Sequence, residues 1–467
     1  MKSARFFFIS SVALIGLSGC GVTSTSSHAN LPLPADWKNS AGFPVASATR
    51  DLSRWWGRFN DPTLNRVISD ALKNSPDIAS ASARVRESRA QRNAVASSLF
   101  PSLSGGVTGN ANASDRDRFG RDSDSSYSAG LNASWEADLF GKNRSSVEAA
   151  SAQVGATQEN FHSVQASLAA ETASAYASLR TNEARLAVLK KNITTREETA
   201  RLAGWRNQAG EADSLEATQA QSSLETARAA IPSLEQAISQ GKNQLAFLAG
   251  RSPGELDSLL SKSHGAPVPP SSLAIGIPAD VLRQRPDVRL AGYQLLAAAA
   301  STRATEATRY PSLNLSGSLG LNSATASKLL DPEAATASLV AGITSPIFDA
   351  GRIKSNIEAA SASEEQAIQT YRTTVLNALR ETEDALIACR RSAERLELLE
   401  TATRLARESD ETARQRYESG EIDFLDVLDS QRTLLSLEDN LLTTRTDRTT
   451  AYIRLYQALG GGWSSGS

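Results

Sequence analysis

Cysteine, histidine and methionine are scarce. The 467-residue chain has two Cys (Cys20, Cys389), three His (His28, His162, His264) and one Met. A Cys₂His₂ or Cys₄ metal site is hard to build from that set, so no metal or other cofactor is expected. No HExxH, GxSxG, P-loop or GxGxxG run occurs. The common hydrolytic, metallopeptidase and nucleotide-binding signatures are therefore missing. Paired carboxylates are plentiful, but on helices they mark solvated faces. An enzyme is not expected. Charge of one sign is not in excess either: 49 basic against 51 acidic residues leave −2, and nothing directs the chain to nucleic acid. Aromatics make up 6%. With Ala, Ser, Leu, Arg and Glu prominent, that favours long helices over a β-rich sandwich.

Long hydrophobic runs are also missing. The longest, Phe6 to Leu17, follows Lys2 and Arg5 and falls short of the ~20 residues a spanning helix needs. It fits the core of a secretory signal, residues 1–19. The end of that stretch, Leu17-Ser18-Gly19-Cys20, resembles the lipobox of bacterial lipoproteins. That resemblance implies cleavage before Cys20 and acylation of its thiol. Gly21 stands where Asp would signal inner-membrane retention, which implies sorting to the outer membrane. Residues 21–30 read as a flexible tether.

An internal repeat is present. At an offset of 210, Pro76-Asp77 falls on Pro286-Asp287, Pro101-Ser102-Leu103 on Pro311-Ser312-Leu313, Gly141 on Gly351, and Glu148–Ala152 on Glu358–Ala362. Arg206, Gly210, Asp213 and Leu215 fall on Arg416, Gly420, Asp423 and Leu425. Two units result, 62–250 and 272–460. They are flanked by an anchor and collar segment (20–61), an inter-repeat collar segment (251–271) and a tail (461–467).

Each unit has one internal plan. A helix, near 77–98 and 287–308, ends before Pro101 or Pro311. Two runs of period two follow. Leu313, Leu315, Leu319 and Leu321 alternate with Ser and Asn, and Ala129, Leu131, Ala133 and Trp135 do the same in the first unit. Such alternation predicts a β-hairpin with one apolar face. Its tip in unit one is the charged loop Ala113–Ser125. From Gly141 and Gly351 a Pro-free stretch runs to about Asn207 and Tyr417, a helix of ~100 Å. Its apolar positions (Ile353, Ile357, Ala360, Ala367, Tyr371, Val375, Ala378, Ala385, Cys389) step by three and four, as in a coiled coil. Cys389 belongs to that seam, so packing is its expected role. Gly210 and Gly420 end these helices. Return helices follow, over 213–248 and 423–459, and Pro232 interrupts the first. His162 and His264 have no evident partner and default to structural roles.

Two hairpins give four strands per chain, too few to close a barrel in lipid, where known single-chain barrels start at about eight. Three chains would supply twelve. The expected fold is mainly α with membrane β: a long α-helical coiled-coil barrel plus a 12-stranded transmembrane β-barrel shared by three chains. Trp135 would lie in the interfacial girdle.

These features resemble the TolC-type outer-membrane efflux proteins, in their lipoprotein (NodT-like) branch. The matching stretches are Leu31-Pro32-Leu33-Pro34 with Trp37, Trp56-x-x-Phe59-x-Asp61-Pro62, Ser134–Gly141, Pro278–Leu282 with Arg285–Val288, Arg416-Tyr417-x-x-Gly420, Leu428-Asp429-x-Gln431-Arg432 and Leu459–Trp463. The resemblance implies a homotrimeric tunnel lodged in outer-membrane lipid. The tunnel is the exit duct for small molecules such as drugs or toxic compounds, and it works with a periplasmic adaptor and an inner-membrane transporter. Export of a protein or polysaccharide, or a structural coiled-coil lipoprotein, stay open as alternatives. The resemblance also implies that the turns at 206–215 and 416–425 form an iris-like periplasmic gate that receives the adaptor. Arg416, Tyr417, Gly420, Asp423, Leu425 and Asp429 match its constriction, with Arg206, Gly210, Asp213 and Leu215 as first-unit counterparts. Asp423 reads equally well as an N-cap. Gln219 stands where the second unit has Asp429, so the two turns differ.

Overall fold

The computed structural model describes residues 33–40, 43, 51–114, 122–261, 265–270 and 278–464. The expected signal, Cys20, the loop tip 115–121 and His264 lie outside the described residues. The two units fold alike. Unit one holds α1 (Pro62–Asn74), α2 (Pro76–Ala96), β1 (Ser102–Ser114), β2 (Asp122–Ala137) and α3 (Lys142–Gln208), then α4 (Ser214–Ala229) and α5 (Ile231–Leu248). A short α6 (Asp257–Leu260) leads to unit two. That unit comprises α7 (Pro278–Gln284), α8 (Pro286–Ala307), β3 (Ser312–Ser323), β4 (Ala335–Thr344), α9 (Arg352–Glu418) and α10 (Phe424–Ala458).

The long helices α3 and α9 have 67 residues each, or ~100 Å. Both start after a Gly at positive φ, Gly141 and Gly351. In each case a carboxylate just upstream takes the free N–H groups of the first turn. Asp138 accepts from Asn143 and Arg144, and Asp349 accepts from Gly351 and Ile353. The expected heptad seam is the buried one: Val375, Ala378, Thr382, Ala385 and Cys389 are all buried. Burial pushes the Cys389 thiol up to about 12, so it is a packing residue and not a reactive thiolate at neutral pH.

Three expectations need correction. The expected first helices, near 77–98 and 287–308, are α2 and α8, but each is preceded by a further helix, α1 or α7, that the sequence pattern did not predict. Asp61 caps α1 by accepting from Thr63 and Leu64 at 2.9 and 3.0 Å, with Pro62 at the first helical position. The first hairpin's strands also extend into the supposed loop: Ala113 pairs with Ser123 and Ser114 with Asp122. Finally, His162 has partners. Its Nδ1 lies 3.2 Å from Glu159, its ring stacks on Trp463 at 4.3 Å, and Arg289 reaches the same carboxylate at 2.6 Å.

The main core sits halfway along the long helices. Trp37, Trp55, Trp56 and Phe59 pack with Tyr176, Leu179, Leu245, Leu386, Cys389, Tyr452 and Tyr456. Trp55 stacks on Tyr456 at 5.2 Å. Glu383 on α9 clamps the N-terminal segment, accepting from the backbone N–H of Lys38 and of Asn39 at 2.7 and 3.1 Å. The collar is thus tied to the helices by both apolar burial and hydrogen bonds.

Candidate functional site

Two regions carry the chemistry: the sheet at one end of the long helices and the helical turns at the other. The sheet is antiparallel in the order β1-β2-β3-β4. Its registers pair odd positions with odd: Val107 with Ala129, Ala129 with Leu321, Leu131 with Leu319, Leu313 with Ile343. Cross-strand partners share a face. One face therefore collects Leu103, Val107, Tyr127, Leu131, Trp135, Leu313, Leu315, Leu319, Leu339 and Ile343. The other is mostly Ser, Thr, Asn and Gly, including Ser104, Thr108, Ser128, Asn132, Ser316, Ser318 and Ser338, with Glu136 and Val340 among them. The apolar face is exposed in the single chain, with Val107 at 81% and Leu339 at 86%. Trp135 lies on that face, and its indole N–H donates to the Leu99 carbonyl at 3.1 Å.

The helical turns repeat one device. Gly210 and Gly420 take positive φ. Glu211 N–H then reaches Arg206 O, and Glu421 N–H reaches Arg416 O, at 2.9 and 2.8 Å. This is a Schellman stop. Beyond the backbone the turns diverge. Tyr417 is 2% exposed and packs with Ala203, Ala220, Phe424, Val427 and Leu428, residues of α3, α4 and α10. Its hydroxyl donates to Glu216 on α4. The Arg206 guanidinium lies 4.9 Å from the Tyr417 ring centre and 3.9 Å from the Glu216 carboxylate. Burial and the neighbouring carboxylate push the Tyr417 phenol up to about 12, so it stays a donor at any physiological pH. The first-unit counterpart of Tyr417 is Asn207. Its side chain bonds only within its own turn, to Ala212 O at 3.1 Å. Tyr417 and Arg206 therefore join the two helical hairpins, and the link runs one way.

The other expected residues are arranged differently. Arg416 meets Glu421 across its own turn at 4.0 Å, and both are exposed. Asp213 caps α4 by accepting from Leu215 N–H at 3.4 Å. Asp423 precedes α10 but makes no side-chain cap bond, which weakens its N-cap reading. Leu215 and Leu425 are 60% and 58% exposed, and Asp429 is exposed one turn after Leu425. Sequence reasoning missed Glu216. A carboxylate in the first turn of the return helix, like Asp426 in unit two, was the available sign. It also missed Asp410, buried on the α9 seam two turns before Tyr417. Asp410 accepts from Arg414 Nε at 3.1 Å and from Ser430 at 3.4 Å. Burial raises its pKa above the ordinary carboxylate value.

Among the described residues no group of three or more His, Cys, Asp or Glu is placed to hold a metal ion. No described helix is long and apolar enough to cross a membrane.

The sequence profile of the Outer membrane efflux protein family matches residues 67–251 and 277–461. The toluene efflux pump outer membrane protein TtgF of Pseudomonas putida is 31% identical, over 97% of this chain and 97% of that protein. The pyoverdine export outer membrane protein OpmQ of Pseudomonas aeruginosa is also 31% identical, over 100% and 98%. Among solved structures, the outer-membrane channel OprN superposes with a TM-score of 0.87 at 30% identity, covering 92% of this chain and 98% of that one. CusC gives 0.79 at 26%, covering 93% and 99%.

Proposed function

This chain belongs to the outer membrane efflux protein family, and on that premise we propose a lipid-anchored homotrimer as its working form. As a member of the family it is an outer-membrane, periplasm-spanning exit duct of a tripartite efflux system. It works with a periplasmic adaptor and an inner-membrane transporter, and it conducts rather than catalyses. One observation carries the trimer: the four-stranded sheet has a predominantly apolar face and two free edges, β1 and β4. Free edges are intolerable in lipid. Three copies joined edge to edge give a closed twelve-stranded barrel, apolar outside and hydroxyl-lined inside. Trp135 then sits at the membrane–water boundary. The anchor is acylated Cys20, as in the lipoprotein (NodT-like) branch. The domains follow the sequence boundaries, with signal 1–19, collar segments 20–61 and 251–271, and repeats 62–250 and 272–460.

The gate is the cluster of helical turns. Tyr417, Glu216 and Arg206 hold the second hairpin to the first. Arg416, Gly420, Asp423, Leu425 and Asp429, with Gly210, Asp213 and Leu215, form the rim that the adaptor engages. Exposed Leu215 and Leu425 supply its apolar contact area. The cargo is a small molecule. Relatives at the same 31% identity carry names of different cargoes, toluene and pyoverdine, so cargo choice rests with the transporter. Native mass spectrometry of the detergent-extracted protein tests the assembly. A trimer of chains that start at Cys20 and carry acyl mass is expected. An unmodified monomer sinks both the barrel and the anchor.

A further inference from the structure

The two units differ where the sheet joins the helices. In unit one the last residues of β2 close that junction. Trp135 lies against the end of α2, where its indole N–H donates to the Leu99 carbonyl at 3.1 Å. Next to it Glu136 pairs with Lys142, at the start of α3, at 3.1 Å. At the offset of 210, Ser345 stands for Trp135, Pro346 for Glu136 and Arg352 for Lys142. The plug is gone, and the cation has lost its carboxylate. Thr305 also stands for Val95. A cleft results. It is lined by Thr305 and Thr308 at the end of α8, Thr344 and Ser345 at the end of β4, and Arg352 and Asn356 at the start of α9.

The lining is rich in free donors. Thr305 and Thr308 already donate to carbonyls one turn back. Among the described residues, however, the side chains of Thr344, Ser345, Arg352 and Asn356 have no hydrogen-bond or ion-pair partner. Arg352 is the one charged group in the lining. The charges around it are engaged or stand aside. Asp349 accepts from the Gly351 and Ile353 N–H groups. Arg303 meets Glu148 at 2.7 Å, and Lys354 meets Glu358 at 3.8 Å. Glu306 and Arg309, of opposite sign, lie outside the lining. Beside the cleft the surface turns apolar, with Ile343, Ile347 and Phe348 largely exposed. A guanidinium with hydroxyl and amide donors suits a phosphodiester, and the apolar strip suits acyl chains.

We propose that this cleft holds the phosphodiester head of a phospholipid from the adjoining leaflet, with its chains against Ile343, Ile347 and Phe348. The depth rests on the barrel reading above, which sets Trp135, and hence its counterpart Ser345, at the membrane–water boundary. Each chain then has one junction sealed by its own indole and one sealed by lipid.

Native mass spectrometry of the delipidated, detergent-extracted protein, titrated with phosphatidylglycerol, tests the site. The parent is expected to retain one lipid per chain. Arg352→Gln should weaken that binding by about tenfold or more, the size of a charge-assisted hydrogen bond. Ser345→Trp, which rebuilds the unit-one plug, should abolish it. Lys354→Gln removes a neighbouring cation outside the cleft and should leave it unchanged. Equal loss in Arg352→Gln and Lys354→Gln, or no loss in Arg352→Gln and Ser345→Trp, overturns the site. Inorganic phosphate at the same concentration should not displace the lipid; displacement would mean that a free anion is recognised, and overturns the lipid assignment. The same spectrum separates the two readings. A trimer without an Arg352-dependent lipid overturns the cleft alone. A monomer overturns the barrel and, with it, the depth assigned to the lipid.

Discussion

At the residue scale, the proposed gate turns on polar groups that the helical seams do not need for packing. Tyr417 donates to a carboxylate on the other hairpin, a class of bond that contributes about 1.5–3 kcal/mol. Tyr417→Phe keeps the ring packing and the Arg206 contact but removes that bond. It should raise single-channel conductance in planar bilayers, and Asp429→Ala, in the same rim, should do so as well. Unchanged conductance in both would dissociate these residues from the gate. Asp410 sits on a seam position that normally takes an apolar residue. Its raised pKa means that the folded seam holds the proton more tightly than the unfolded chain does. Its stabilising contribution is therefore present at low pH and fades as pH rises through the raised value. Asp410→Asn should melt later than the parent near neutral pH. It should also lose much of the parent's gain on acidification toward the ordinary carboxylate value of about 3.9, read from melting curves at several pH values. Arg206 and both Gly stops were legible in the sequence because the repeat aligned the turns, whereas Tyr417, opposite Asn207 in the repeat, was singled out only by the family resemblance. Glu216 was not legible: it lies 201 positions from Tyr417, and only the packing of two hairpins brings them together.

At the element scale, periodicity was the reliable guide. The three-four stepping of α9 named the buried seam, and strict alternation named the sheet's faces. Short helices were harder. Asp61-Pro62 is a start signal for α1 and Ser75-Pro76 a restart for α2, but aromatic collar residues surround α1 and blur its pattern. Glycine in the sheet has two meanings that only coordinates separate. A Cβ on Gly130 would lie 3.0 Å from Gly320 Cα and from Leu319 O, whereas one on Gly106 would meet nothing within 4 Å. Gly130→Ala should therefore weaken the strand pair by roughly 1–3 kcal/mol, the usual cost of overpacking. Gly106→Ala should be tolerated. Heat resistance of the detergent-extracted protein compares the two directly, and equal losses would count against the close approach of β2 and β3.

At the scale of the whole molecule, the fold was readable because it is written twice. One offset located every long element, and a strand count too small for closure pointed beyond a single chain. What the sequence could not supply was the difference between the halves. Tyr417 against Asn207, and α10 unbroken where α4 and α5 are separated at Ala230, make the second hairpin the reaching and stiffer one. Anchor and assembly should also separate. Cys20→Ser should abolish acyl mass while leaving the trimer intact, since strand edges close the barrel; loss of the trimer on native mass spectrometry would tie the two together. The hydroxyl-and-amide face of the sheet has a further, electrical consequence. Among its described side chains the one ionic group is Glu136, neutralised by Lys142 at 3.1 Å. A pore segment without fixed charge behaves as a plain resistor. The stretch of wall lined by Ser104, Thr108, Ser128, Asn132, Ser316 and Ser318 therefore adds resistance while contributing little rectification or ion preference of its own.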